Sequence, residues 1–188
     1  MQIKRELRKE LIAKRRAVTN KAQKDEAIVN NLLNSEYYRS ADTILCFAST
    51  EDEINTDAII NSAICDGKTL ALPYCTDKSG HMQFYIITSP ADLTKGSFGI
   101  REPDITKCKR LESYDNSIII VPALAYAKDG FRIGYGGGYY DRFLTEYNGV
   151  CVGICYDEML LDKIPADSYD LPVDIIVTQN LIHIVSGG

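Results

Sequence analysis

No apolar run in this 188-residue sequence approaches the roughly 18–20 residues that a membrane-spanning helix requires, so none is expected. The first residues show no apolar core of a secretory signal, and Glu6 and Glu10 are out of keeping with a transit peptide. The six cysteines (Cys46, Cys65, Cys75, Cys108, Cys151, Cys155) include no CxxC pair and no zinc-ligand spacing. Four lie in or beside apolar runs, where a free thiol behaves as a small hydrophobe, and reduced cysteines in a cytoplasmic protein are expected. His81 and His183 are the only histidines, and neither has a partner at metal-ligand spacing, so both are expected at the surface or as satisfied core residues. Low-complexity tracts, internal repeats and linkers are absent. The length suits one domain, residues 1–188, with a sizeable core.

Charge is present but unevenly placed. The formal net charge is −5. Residues 1–16 hold seven bases (Lys4, Arg5, Arg8, Lys9, Lys14, Arg15, Arg16) and two acids, a net +5, which leaves −10 on the other 172 residues. An acidic body argues against general binding of nucleic acid or of a membrane surface, both of which need a positive field. A basic end on an acidic body points to a small anion.

The basic end reads as a helix. At about 100° per residue, Ile3, Leu7 and Leu11 share one azimuth. Lys4, Arg8 and Arg15 border that stripe, where packing of their stems can fix their positions; Arg5, Lys9 and Arg16 point further round. Asn20 with Gln23 resembles a capping pair opening a second helix that runs towards Tyr37, and a third helix begins near Thr56 and closes before Gly67. The runs 43–48, 69–73, 82–87, 117–122, 149–156 and 174–178 read as strands. Strands alternating with helices predict an α/β sandwich with a mostly parallel sheet.

The stretch VPALAYAKDGFRIGYGGGYYDRFL (121–144) is the most informative. It leaves an apolar strand and ends in a helical pattern, where α/β proteins bind ligands. Gly134, Gly136, Gly137 and Gly138 permit positive φ and close approach to backbone N–H groups. A helix start adds a positive end, and Arg132 lies just upstream. Neither the GxxxxGK[ST] nor the GxGxxG fingerprint is met. Asp141, in the first helical turn, could favour the helix dipole or sit where Mg²⁺ joins carboxylates to phosphate oxygens.

This stretch resembles the signature of the 5-formyltetrahydrofolate cyclo-ligase (5,10-methenyltetrahydrofolate synthetase) family, and the likeness extends over nearly the whole chain. KRELR (4–8) is similar to that family's basic N-terminal helix, FASTEDEINT (47–56) to its substrate loop, FGIREP (98–103) to an aromatic-Gly-Ile turn and DLPVDIIVT (170–178) to its closing segment. The resemblance implies a three-layer α/β/α sandwich related to the sugar-phosphate isomerase and CoA-transferase folds (NagB/RpiA/CoA-transferase-like). It implies use of ATP and Mg²⁺ to convert 5-formyltetrahydrofolate into 5,10-methenyltetrahydrofolate, with a monomer as the expected state and neither nucleic acid nor membrane as partner. Lys4, Arg5 and Arg8 would hold ATP phosphates. Arg132, Ile133, Gly134, Tyr135, Gly136, Gly137, Gly138, Tyr139 and Tyr140 would form the nucleotide loop, part of which also meets the folate. Ala48, Glu53, Phe98 and Tyr139 would contact the folate, with Glu53 on the pterin, and Asp141 and Asp170 would be the metal-side carboxylates. Two departures stand out: Gly137 occupies a place where some relatives carry Lys, and Phe98 one where others carry Trp.

No GxSxG or other nucleophile motif is present, and no general acid or base is assigned. Without the resemblance, Glu53 reads as a solvated loop acid, Asp170 and Asp174 as turn and strand-start residues, and Tyr139 and Tyr140 as packing residues. A phosphate-binding module without catalysis and an ATP-independent phosphosugar isomerase stay open as alternatives.

Overall fold

All six apolar runs become strands of one central sheet. The computed structural model describes residues 2–77, 80–96 and 99–185. In chain order the elements are α1 (Gln2–Arg16), α2 (Lys21–Asn34), α3 (Glu36–Ser40), β1 (Thr43–Leu45), α4 (Asp57–Cys65), β2 (Thr69–Cys75), β3 (Met82–Ile87), β4 (Leu93–Lys95), β5 (Arg101–Pro103), β6 (Ser117–Val121), β7 (Ala125–Ala127), β8 (Arg132–Ile133), α5 (Tyr139–Leu144), β9 (Val150–Ile154), β10 (Leu160–Leu161), β11 (Ile175–Val177) and β12 (Ile182–Ile184). The sheet order is β12-β11-β9-β6-β1-β2-β3. The five inner strands run parallel; β12 and β3 are antiparallel edges.

Parallel strands are covered on both faces and so need unbroken apolar sequence. β1, β6 and β11 are buried at every position. Against this sheet α2 buries Ile28, Val29 and Leu32, and α4 buries Ile59, Ile60 and Ala63. Full burial of each large aliphatic side chain contributes about 1.5–3 kcal/mol relative to exposure. Among the described residues no helix is long and apolar enough to cross a membrane.

Two short sheets, β10-β7-β8 and β4-β5, were not legible as apolar runs. The first matters for the site, because β7 and β8 form a hairpin between the central strand β6 and the glycine loop. Gly153 on β9 lets that hairpin close down: a Cβ there would lie 2.5 Å from the Tyr126 ring. Tyr126 is fully buried and donates to Val121 O at 2.7 Å.

Three local expectations are corrected. Ile3 is 69% exposed, so the apolar stripe of α1 rests on Leu11, with Leu7 half-buried. Asn20 sits in the left-handed region, φ 55°, and its side chain caps nothing. The second helix stops at Asn34, where Ser35 donates to Leu32 O and accepts from Tyr38 N to start α3.

Candidate active site

Helix α1 lies against the glycine loop through the residues that border its apolar stripe. Arg8 Nε donates to Gly134 O at 2.9 Å. One turn earlier, Lys4 pairs with Asp167 at 2.6 Å and with Asp170. Burial works against the Lys4 ammonium, but hydrogen bonds to Asp167 and Asp170 outweigh it and raise its pKa above 10.5. Further along, Arg15 donates to Ala123 O at 3.3 Å and to the Tyr135 hydroxyl. Lys4 is therefore already neutralised by carboxylates, whereas Arg8 meets only a carbonyl among the described residues. Arg8, held against the glycine loop, keeps its charge open to an incoming phosphate.

The loop itself is held from below. Arg132, on β8 and buried, donates to Leu171 O at 2.7 Å and to Asp141 Oδ1 at 2.7 Å, and Leu171 N approaches the same oxygen at 3.4 Å. These bonds join β8, the first turn of α5 and the 167–171 turn, which also presents Asp170. Gly136 and Gly138 adopt φ of 97° and 69°, which side-chain-bearing residues rarely take. Arg142 Nη1 braces the loop at Gly137 O, 2.9 Å, and Tyr139 donates to Asp77 O at 3.0 Å. α5 has six residues, so its dipole adds less than a long helix would; cationic side chains and loop N–H groups dominate this site. The Tyr140 hydroxyl is buried with no hydrogen-bond partner among the described residues, and burial pushes its pKa well above 10.

Beside the loop lies an open cleft lined by Arg15, Phe47, Glu53, Ile54, Leu124 and Tyr156 among others. The 47–56 segment is closed by Thr56, whose Oγ1 donates to Phe47 O at 2.6 Å and accepts from Ser49 N at 3.0 Å. Glu53 is buried, and its Oε2 accepts from Thr50 N at 2.8 Å and Thr50 Oγ1 at 2.9 Å. Behind it Lys21 bridges Glu53 O and Asp25, 2.7 Å each, and Asp25 accepts from the Tyr156 hydroxyl at 2.6 Å. A glutamate that sequence alone leaves in solvent is thus a fixed acceptor in a mostly apolar cleft.

A family model described as the 5-formyltetrahydrofolate cyclo-ligase family matches residues 1–179. The chain belongs to that family. Cyclo-ligases similar to it include that of Mus musculus, 28% identical over 191 residues with 94% of each chain covered, and that of Haemophilus influenzae, 29% identical over 181 residues with 94% of this chain and 96% of that one covered. The NMR structure of Aquifex aeolicus 5,10-methenyltetrahydrofolate synthetase is 29% identical and superposes with a TM-score of 0.86 over 99% of this chain and 94% of that one. The Mycoplasma pneumoniae synthetase, at 21% identity and a TM-score of 0.73 over 94% of this chain and 98% of that one, shares the fold.

Within this cyclo-ligase the expected residues fall into two groups around α1. Lys4, Arg8, Arg132, Gly134 to Gly138, Asp141 and Asp170 are joined by the bonds given above. Ala48 is buried at the end of β1, in the segment that carries Glu53, and Ile133 is buried on β8. Tyr135 is 57% exposed, its hydroxyl turned to Arg15. Arg5 is exposed, and its side chain makes no hydrogen bond or ion pair among the described residues. Phe98 lies outside the described residues. Arg142 and Asp167 were not anticipated: nothing in spacing marks Arg142, while Asp167, three residues before Asp170, is recognisable as a turn partner only once Asp167 N is seen to donate to Asp170 Oδ2 at 2.7 Å. Asp174 accepts from Cys151 N at 2.7 Å, His81 pairs with Asp77, and His183 bonds Lys128 O. All six cysteines are free.

Proposed function

We propose that this cyclo-ligase closes 5-formyltetrahydrofolate to 5,10-methenyltetrahydrofolate with ATP, releasing ADP and phosphate. The observation that carries the proposal is the bond from Arg8 of a basic helix to Gly134 of the glycine loop, next to a cleft where a buried Glu53 waits for N–H donors. An anion cradle and a heterocycle pocket side by side suit a reaction between a nucleotide and a pterin.

A formyl group on a ring nitrogen is an amide, and resonance makes its carbon a weak electrophile and its oxygen a poor leaving group. Attack of the formyl oxygen on the γ-phosphorus, with ADP leaving, converts that oxygen into a phosphate ester. Nitrogen 10 then adds to the formyl carbon, loses its proton, and the C–O bond breaks to release phosphate and leave the methenyl bridge. The protein's part is to align two substrates and balance charge, the usual basis of phosphoryl transfer. Arg8 and the loop N–H groups face the phosphates, with Lys4 holding the Asp167–Asp170 turn beside them; Arg132 sets the loop and adds field; Glu53 orients the pterin, with Ala48, Tyr135 and Tyr139 around the ligands. No general acid or base is needed beyond water for the nitrogen 10 proton.

Asp141 and Asp170 fit Mg²⁺: each has one carboxylate oxygen without a hydrogen bond among the described residues, and this ion takes one or two carboxylates with phosphate oxygens. When bound, the ion supplies neutralising charge between phosphoryl oxygens. Among the described residues no group of three His, Cys, Asp or Glu is placed to hold a metal ion. We take residues 1–188 to act as one domain, an α/β/α sandwich, monomeric and cytoplasmic.

Mixing the protein with 5-formyltetrahydrofolate and Mg·ATP is expected to raise methenyl absorbance and to release one phosphate per turnover. ATP binding without product would support a phosphate-binding module instead, and turnover of a phosphosugar without ATP would support an isomerase.

A further inference from the structure

One buried cation on α1 has no part in the phosphate chemistry. Arg15 is 7% exposed, yet no carboxylate pairs with it among the described residues. Its Nη groups meet Ala123 O and the Tyr135 hydroxyl, and its buried Nε has no acceptor among the described residues. Burial raises the Tyr135 pKa above 10, so that partner is a neutral acceptor, not a counter-ion. A buried guanidinium with an unused N–H is costly unless a ligand satisfies it.

Arg15 and Glu53 are the two charged residues lining the cleft, and among the described residues no salt bridge joins them: Arg15 bonds Ala123 O and the Tyr135 hydroxyl, and the Glu53 carboxylate bonds Thr50. Their spacing is fixed from outside: Arg16 holds Asp52 at 2.7 Å, which ties the last turn of α1 to the segment bearing Glu53. One wall accepts hydrogen bonds and the other donates them, with apolar side chains such as Phe47, Ile54 and Leu124 between.

We propose that Arg15 donates to the 4-oxo oxygen of the pterin while Glu53 accepts from the adjoining ring N–H and 2-amino group. The pair thereby reads the 2-amino-4-oxo edge and makes Arg15 a specificity-determining residue. This rests on the folate reading of the cleft given above. Other substrate acceptors fit poorly. The formyl oxygen has to reach the γ-phosphoryl group at the glycine loop, and a glutamate-tail carboxylate in this cleft would be pressed against Glu53. A planar guanidinium fork also suits the in-plane lone pairs of a carbonyl.

Equilibrium binding of 5-formyltetrahydrofolate and of its 4-amino-4-deoxy counterpart to the full chain tests this, because the counterpart offers Arg15 a donor where the substrate offers an acceptor. Arg15→Met is expected to weaken the 4-oxo ligand by about 10- to 100-fold, the loss of one charged hydrogen bond. It is expected to leave the 4-amino ligand unchanged or tighter. Equal weakening of both ligands, or of neither, overturns the assignment of Arg15 while leaving the folate reading intact; wild-type protein that binds no 5-formyltetrahydrofolate overturns both. Should Arg15→Met fail to fold in a thermal melt, Arg15→Lys, which keeps the charge without the fork, is expected to show a smaller loss again confined to the 4-oxo ligand, and equal loss on both overturns the proposal.

Discussion

Alanine at Gly136 separates the shape of the glycine loop from its mere flexibility. Gly136 holds φ 97°, and a Cβ there would lie 3.2 Å from Arg8 Cζ and 3.3 Å from its Nη2. Holding a non-glycine residue in such a region costs about 1–3 kcal/mol. Arg8 must also retreat by a few tenths of an ångström, which strains its 2.9 Å bond to Gly134 O. Together these give about 2 kcal/mol against the phosphate-ready loop, or about 30-fold in the KM for ATP. Because Gly136 is exposed, the loop can open to relieve the strain without unfolding the core, and Tm should move by no more than about 2 °C. Gly134 is the internal control: it has no positive φ, and a Cβ there meets nothing within 4 Å. Gly134→Ala should stay within about 0.5 kcal/mol, near twofold in KM. The assay is the initial rate of methenyl formation against ATP at saturating 5-formyltetrahydrofolate, with a thermal melt of each variant. Equal KM increases for the two alanines, or none at Gly136, would refute a cradle shaped by Arg8 and the loop.

Arg132→Ala should raise the KM for ATP at least tenfold, about 1.4 kcal/mol, and should also lower Tm, since it strands Asp141 and Leu171 O; a change in KM with Tm intact would contradict the bracing role drawn from its 2.7 Å bonds. The Lys4 pair has a pH signature. The hydrogen bond from Lys4 holds the Asp167 carboxyl below its ordinary 3.8, so the pair's stabilisation is present above that value and disappears as pH falls through the lower, folded pKa. By NMR titration, Lys4→Met should bring the Asp167 midpoint back up towards 3.8, and an unmoved midpoint would show that the pair does not form in solution.

The sheet was legible because burial on both faces forces sequence and structure to agree. Stretches such as Ser117–Val121 and Ile175–Val177 have no other reading. Pieces of two or three residues, such as Arg132–Ile133 and Leu160–Leu161, are too short to carry a period, so the hairpin that raises Arg132 into the site left no pattern to read. Lys4, Arg8 and Arg15 stood out as neighbours on one flank of a helix. What each faces depends on segments more than a hundred residues away, and spacing within the helix cannot tell a carboxylate from a carbonyl. Glu53 shows the same limit from the other side: its segment is anchored by Lys21, which bonds Glu53 O and Asp25, and by Tyr156 on Asp25, all outside its own loop.

The docking of α1 has a consequence for how the protein is made. Helix α1 finds its partners at Gly134, Asp167 and Asp170, so its residues leave the ribosome well over a hundred residues before the segments that receive them. Such long loops close slowly. Until then an amphipathic, cationic helix is present without the acidic turn that covers it. A nascent chain lacking that turn has no means of holding Lys4, so competence for nucleotide has to wait until the turn bearing Asp167 and Asp170 has been made.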